Sequence, residues 1–263
     1  MYKYFLKFGE KKYLSDLIKG GLYCSCAQKY WEIEEKGLKG QGDVLEASGL
    51  IHSRQMILED KLSGEHCTLE VPLASVIHFD PLKRIPVYCV TAIKESECTD
   101  DGKIRFDYNR WKQVRQHFPK ADSVVIIKNP EQFIRDISRS MNGKFRHKKI
   151  EYFKIIDGIE APDGTKTMDM HYLEYLIRGI EPICGDALFN SDNVKKINSK
   201  LYAVTVNDAI RTLFCKDVYF ECEGEYRFVF FEESVEEGVV YQCNLSEELD
   251  MINIDDFYNE YCV

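Results

Sequence analysis

The chain reads as a single α+β domain spanning residues 1–263, and three observations carry that expectation. Candidate strands and helices follow one another without regular alternation, which argues against a doubly wound parallel sheet. No repeat, low-complexity run or long linker divides the sequence. With 263 residues, 44% of them hydrophobic and 13% aromatic, the chain can bury a full core.

Tyr2–Phe8 alternates apolar and polar residues and predicts a strand. Lys11–Lys19 places Tyr13, Leu14, Leu17 and Ile18 at helical spacing and stops at Gly20-Gly21, a helix-ending signal. Leu22–Cys26 then predicts a short strand, Gln28–Lys36 a second helix, and Lys39–Asp43 a turn. Leu50–Glu59 and Cys67–Phe79 alternate as a pair of strands. Ile85–Ala92 is a near-continuous apolar run, the pattern of a strand covered on both faces. Beyond the polar loop Lys94–Gly102, Tyr108–Phe118 predicts a helix, Ser123–Lys128 a strand, Pro130–Met141 a helix and Ile150–Ile156 a strand. Asp157–Thr167 is rich in turn formers, Met170–Gly179 predicts a helix, Pro182–Asn198 carries no readable pattern, and Val204–Phe214 has helical character. Tyr226–Glu232 and Gly238–Leu245 close the series as strands.

A net charge of −9 and a pI near 5.3 argue against general affinity for a nucleic-acid backbone. The charge is unevenly spread. From Tyr219 to the end, 13 Asp or Glu residues face a single basic one, Arg227, whereas Lys144–Lys154 is a concentrated basic patch. That patch suits a solvated strand edge that resists aggregation, or a surface that receives an acidic partner or a nucleotide phosphate. The ten cysteines form no C-x-x-C pair and never cluster with His at zinc spacing, so no metal is expected. They lie in or beside apolar runs, as reduced core residues of a cytoplasmic protein do. No apolar run approaches membrane-spanning length, and no membrane association is expected.

The most informative motif is Glu223-Gly224-Glu225, followed by Tyr226-Arg227 and the apolar run Phe228–Phe231. Carboxylates at i and i+2 of an extended segment share one face, and at the entry to a buried strand they must be bonded, paired or at work on a ligand. An ion pair between Glu225 and Arg227 is the structural alternative. Asp43 and Glu46 read as helix-capping residues or as a buried pair with Arg54 or Arg227. His52 and His78 sit in alternating strands as structural histidines, and Cys89 has no sequence-local base.

The chain resembles a bacterial and phage family of uncharacterised function. The residues concerned are Tyr2-Lys3-Tyr4, Gly20-Gly21-Leu22-Tyr23, Gly42–Glu46, Tyr88–Thr91, Trp111–His117, Ser123–Ile127, Lys216, Tyr219-Phe220 and Glu223–Arg227. The same elements resemble, more distantly, the ADP-ribosyltransferase superfamily. That resemblance implies a split, mixed or antiparallel sheet core flanked by helices, and cleavage of NAD at the nicotinamide glycosidic bond with transfer to a macromolecule or water. It implies Glu225 and Glu223 as the catalytic carboxylates, and Tyr23, Tyr4 and Ser25 as contacts to NAD, with Tyr23 stacking on nicotinamide.

Tyr4 stands where that fold places a His or Arg, and this supports a rival of another class. The rival is a non-catalytic phage or mobile-element protein that binds a host defence protein through its acidic surface, inhibiting or triggering it. A third reading, a Mg²⁺ nuclease built on Asp43, Glu46 and Glu225, lacks the lysine such sites carry. The cysteine reading has its own test. After unfolding without reductant, all ten thiols should react with a thiol reagent, and two or more reproducibly missing thiols would reveal a disulfide.

Overall fold

A computed structural model describes residues 1–35, 45–53, 56–59, 63, 65–69, 73–160, 162, 164, 166–178, 182–184, 201–202, 209–231 and 233–263. Asp43, Arg54, Glu232 and the stretches 185–200 and 203–208 lie outside them. The first half runs β1 (Tyr2–Gly9), α1 (Lys11–Ile18), β2 (Gly21–Cys24), α2 (Ala27–Glu35), β3 (Ser48–Ser53), β4 (Met56–Glu59), β5 (His66–Leu69), β6 (Leu73–His78), β7 (Val87–Lys94), α3 (Tyr108–His117) and β8 (Ser123–Ile127). The second half runs α4 (Pro130–Ser140), β9 (Arg146–Lys149), β10 (Glu151–Phe153), β11 (Ile159–Glu160), β12 (Lys166–Thr167), α5 (Met170–Ile177), β13 (Pro182–Cys184), β14 (Leu201–Tyr202), β15 (Cys215–Asp217), β16 (Glu225–Val229), β17 (Val239–Gln242), β18 (Asp250–Asn253) and α6 (Ile254–Tyr261).

A six-stranded sheet in the order β18-β8-β1-β7-β16-β9 organises these elements, and all its pairings are antiparallel. The α+β class therefore holds. The apolar run of β7 lies inside the sheet between β1 and β16, as its lack of a polar face requires. Tyr88, Val90 and Ala92 join Phe5, Tyr226 and Phe228 on one face, where α1, α4 and β2 pack through Leu14, Leu17, Phe133, Ile137, Leu22 and Cys24. On the other face Ile93 joins a cluster with α3 and α6 through Trp111, Val114, Ile254 and Phe257. Val87 and Val229 join a separate cluster with Ala47, Leu82 and Leu213. Thr91 lies between those two clusters along β7, and the gap there is filled by charge.

Smaller ribbons surround the sheet. The expected strand pair at Leu50–Phe79 is a nested hairpin in which β3 pairs with β6 and β4 with β5. Helix α1 ends where predicted because Gly20, at φ +86°, brings its α-carbon against the Cys243 carbonyl, leaving no room for a side chain.

Two expectations shift. The strand expected over Ile150–Ile156 begins earlier, with the basic residues Arg146–Lys149 forming the edge strand β9. The chain then leaves the sheet at Ile150, so that β10 pairs in parallel with β15. The second shift is at the acidic C-terminus, where β18 and α6 form although hydropathy flagged neither. Helix α6 buries only Ile254 and Phe257, and its start is held by the Asn253 side chain accepting from the Asp255 N–H. Among the described residues no helix is long and apolar enough to cross a membrane.

Candidate functional site

Arg227 on β16 is the most enclosed charged residue among the described residues, 1% exposed. Strand alternation sends Tyr226 and Phe228 into one apolar face and turns Glu225 and Arg227 to the other. A guanidinium buried this deeply must find acceptors. Its Nη1 and Nη2 take the Glu46 carboxylate as a two-pronged pair, the Nη2–Oε2 bond measuring 3.0 Å. Nη1 also donates to the Leu213 carbonyl at 2.7 Å, and Nε donates to Glu225 Oε1 at 2.6 Å. Of the alternatives for Glu46, the buried pair with Arg227 is the one formed.

The chain of charges continues. Lys216 on β15 lies 2.9 Å from Glu225 Oε2 and 3.1 Å from Glu223 Oε2. Glu223 Oε1 lies 2.9 Å from Nδ1 of His117, the last residue of α3. Three carboxylates and three cationic side chains thus alternate from Glu46 to His117. Glu223 and Glu225 converge, but not by strand alternation. Glu223 ends a 3-10 turn, Val218–Glu223, and Gly224 at φ +54° swings the chain into β16. The left-handed φ at this junction favours glycine.

Arg227, Glu225, Lys216, Glu223 and His117 line one cavity of about 340 Å³ together with Lys7, Tyr30, Cys89, Thr91, Lys120 and Phe220. Backbone bonds fix its floor: the Glu225 N–H donates to the Tyr152 hydroxyl at 2.8 Å, and its carbonyl accepts from Ile150 at 2.9 Å. Burial opposes charge on Glu225, yet Arg227, Lys216 and the Cys89 thiol outweigh it and hold the carboxylate well below its usual range. Burial and the Glu225 charge push the Cys89 thiol up to about 12, so it is an inert neighbour and no nucleophile. Burial also opposes charge on His117, but its bonds to Cys222 and Glu223 win and raise it to about 9. The cavity wall therefore presents ionised Glu225 and a protonated imidazole, and the Glu225 carboxylate can stabilise positive charge that develops beside it. Among the described residues, no group of three or more His, Cys, Asp or Glu side chains is placed to hold a metal ion.

The two expected carboxylates share this cavity, whereas the expected NAD contacts do not line it. Tyr23 is 48% exposed, and its hydroxyl accepts from Lys29 Nζ at 2.7 Å. The reason is parity: β2 buries Leu22 and Cys24 beneath Tyr226 and Phe228, on the face of the sheet opposite Glu225, so Tyr23 turns outward. Tyr4 donates to the Gly102 carbonyl at 3.1 Å, and Ser25 pairs through its backbone with Val87. His78 bonds Ser48 Oγ at 2.7 Å, a structural role. Sequence reading did not assign His117, which lies 106 residues before Glu223; its one signal is a place on the last turn of a predicted helix. Comparison with protein-family models, curated proteins and solved structures returns no match.

Two outcomes follow from this geometry. Arg227→Met strands the buried Glu46 carboxylate and removes one of the two cations beside Glu225, and should cost about 3–5 kcal/mol in urea unfolding. His117 is charged more readily folded than unfolded, so its contribution is full below pH ~6.5 and is lost as pH rises through about 9. Unfolding titrations should show stability falling across that window by on the order of 1–3 kcal/mol, and His117→Asn should flatten the slope.

Proposed function

We propose that the cavity is an ADP-ribosyltransferase-like site that cleaves the bond between nicotinamide and ribose in NAD, passing ADP-ribose to a macromolecule or to water. The observation that carries this reading is the ionised, buried Glu225 facing the 340 Å³ cavity beside a second carboxylate. As the C–N bond breaks, its electron pair leaves with nicotinamide and neutralises the pyridinium, while the ribose gains oxocarbenium character. Glu225, oriented by Lys216 and Arg227, stabilises that cation. Glu223, paired with His117, accepts the proton of the attacking nucleophile. Tyr30 and Phe220, which line the same cavity, take the ring-packing role first expected of Tyr23.

The test measures nicotinamide release from NAD, with and without cell-lysate protein as acceptor. The parent should exceed spontaneous hydrolysis, and Glu225→Gln should lower the rate by about 10²–10³. Because the variant also loosens Arg227, its fold is checked by circular dichroism. Release no faster than in buffer, by the folded parent in both conditions, would sink the reading.

One observation favours the binding alternative. Outside the site the acidic C-terminal segment turns outward: Glu236, Glu237, Glu247, Glu248, Asp255 and Asp256 are all exposed. If these carboxylates grip a basic host protein, reversing Glu236, Glu237, Glu247 and Glu248 to Lys should abolish the biological effect, and Glu225→Gln should leave it intact. The opposite pattern would assign the effect to the cavity.

A further inference from the structure

His117 walls two cavities. On its far side from Glu225 lies a second one of about 570 Å³, whose lining includes Arg110, Gln113, Lys149, Tyr219 and Cys222. Cys222 Sγ sits 3.6 Å from His117 Nδ1, the nitrogen that also bonds Glu223. Three described cysteines are only partly buried: Cys89, Cys98 and Cys222. The Cys89 thiol bonds the Glu225 carboxylate, and Cys98 donates to the Lys94 carbonyl at 3.6 Å. Cys222 is the one of the three that faces an imidazole and opens onto a cavity with cationic walls.

Charge in this cavity is arranged to receive an anion. Arg110 Nη1 holds Glu97 at 2.9 Å, and Glu97 also accepts from the Lys94 N–H, so that carboxylate is already engaged. Lys149, on the edge strand β9, has no carboxylate of a described residue within ion-pair distance. Burial and then the neighbouring Lys94 disfavour its charge, an unfavourable state that a bound anion relieves. Glu221 at the exposed rim is the remaining carboxylate of the lining.

We infer that Cys222 is a reactive thiol, poised for thiol–disulfide exchange with small anionic disulfides of the glutathione class that dock against Lys149 and Arg110. In the exchange the Cys222 proton passes to solvent and its sulfur attacks one sulfur of the disulfide. The old S–S bond breaks as the new one forms, and the departing thiolate takes up a proton. His117, 3.6 Å from the attacking sulfur, places a cationic ring beside the negative charge that passes through the sulfurs during the exchange. The adduct fills the second cavity and leaves the carboxylates on the other side of His117 uncovered. This inference stands independently of NAD cleavage.

Site-resolved mass spectrometry on the native protein at pH 7 and low salt tests it, with anionic dithiobis(nitrobenzoate) and neutral dithiodipyridine as probes. Cys222 should react about tenfold or more faster than Cys98 with the anionic probe. Lys149→Gln, at a half-exposed position, should slow Cys222 by about 3–10-fold toward the anionic probe and leave the neutral probe unchanged. His117→Asn should slow Cys222 toward both. Cys98 reacting faster than Cys222, or Lys149→Gln slowing the two probes equally, would overturn the inference.

Discussion

The buried guanidinium of Arg227 is the constraint on which the rest of this structure depends. A charge so enclosed is costly, and it is tolerated here because its guanidinium donates four hydrogen bonds to oxygen acceptors fixed by different elements: two to Glu46, one to Glu225 and one to the Leu213 carbonyl. Lys216 and His117 extend the alternation, so each buried carboxylate has a cationic neighbour on either side or a two-pronged one. Such a chain contributes little net stability relative to an apolar core of the same volume, but removing any link strands a buried charge. Its consequence is geometric: the loop before β3, the β15 ribbon, the end of α3 and the centre of the sheet are held in one arrangement.

That arrangement explains why a cavity exists. The sheet face around Tyr226 and Phe228 closes into one continuous apolar cluster. The opposite face carries two separate clusters, and the charged chain runs between them. Apolar side chains cannot fill that gap without stranding the carboxylates, so it stays open as a polar-floored cleft. Glu225 and Glu223 are thus structural and exposed to a ligand at once. The same residues that hold the fold line that cleft, together with the charged side chains of Lys7, Glu10 and Lys120.

His117 links this cleft to the second cavity. It is buried, stacked on Tyr219 at 5.0 Å, and bonded through one nitrogen to Glu223 with Cys222 close by. A ligand or adduct on either side therefore acts on the same imidazole, and its protonation ties the stability of the site to pH near neutrality.

Local pattern alone identified most of the main sheet. The alternation of Tyr2–Phe8, the apolar run of β7, the helix stop at Gly20 and the Glu-x-Glu motif entering β16 each carry their physics in adjacent residues. The acidic β18 and α6 escaped because an edge strand and a helix that buries two residues leave little hydropathy signal. Contacts across the chain were at best one alternative among several. The pairing of Arg227 with Glu46, which spans 181 residues, stood beside a capping role and a pair with Arg54, and that of His117 with Glu223, which spans 106, was not anticipated. Tyr23 shows the same limit from the other side: its strand was legible, but which way it faces was decided by Leu22 and Cys24 packing beneath the sheet. The sequence by itself determined the elements and the two carboxylates, because those depend on neighbours. Only the tertiary structure decided what those carboxylates face, because a buried charge takes its partners from whichever elements the packing of the core brings within reach.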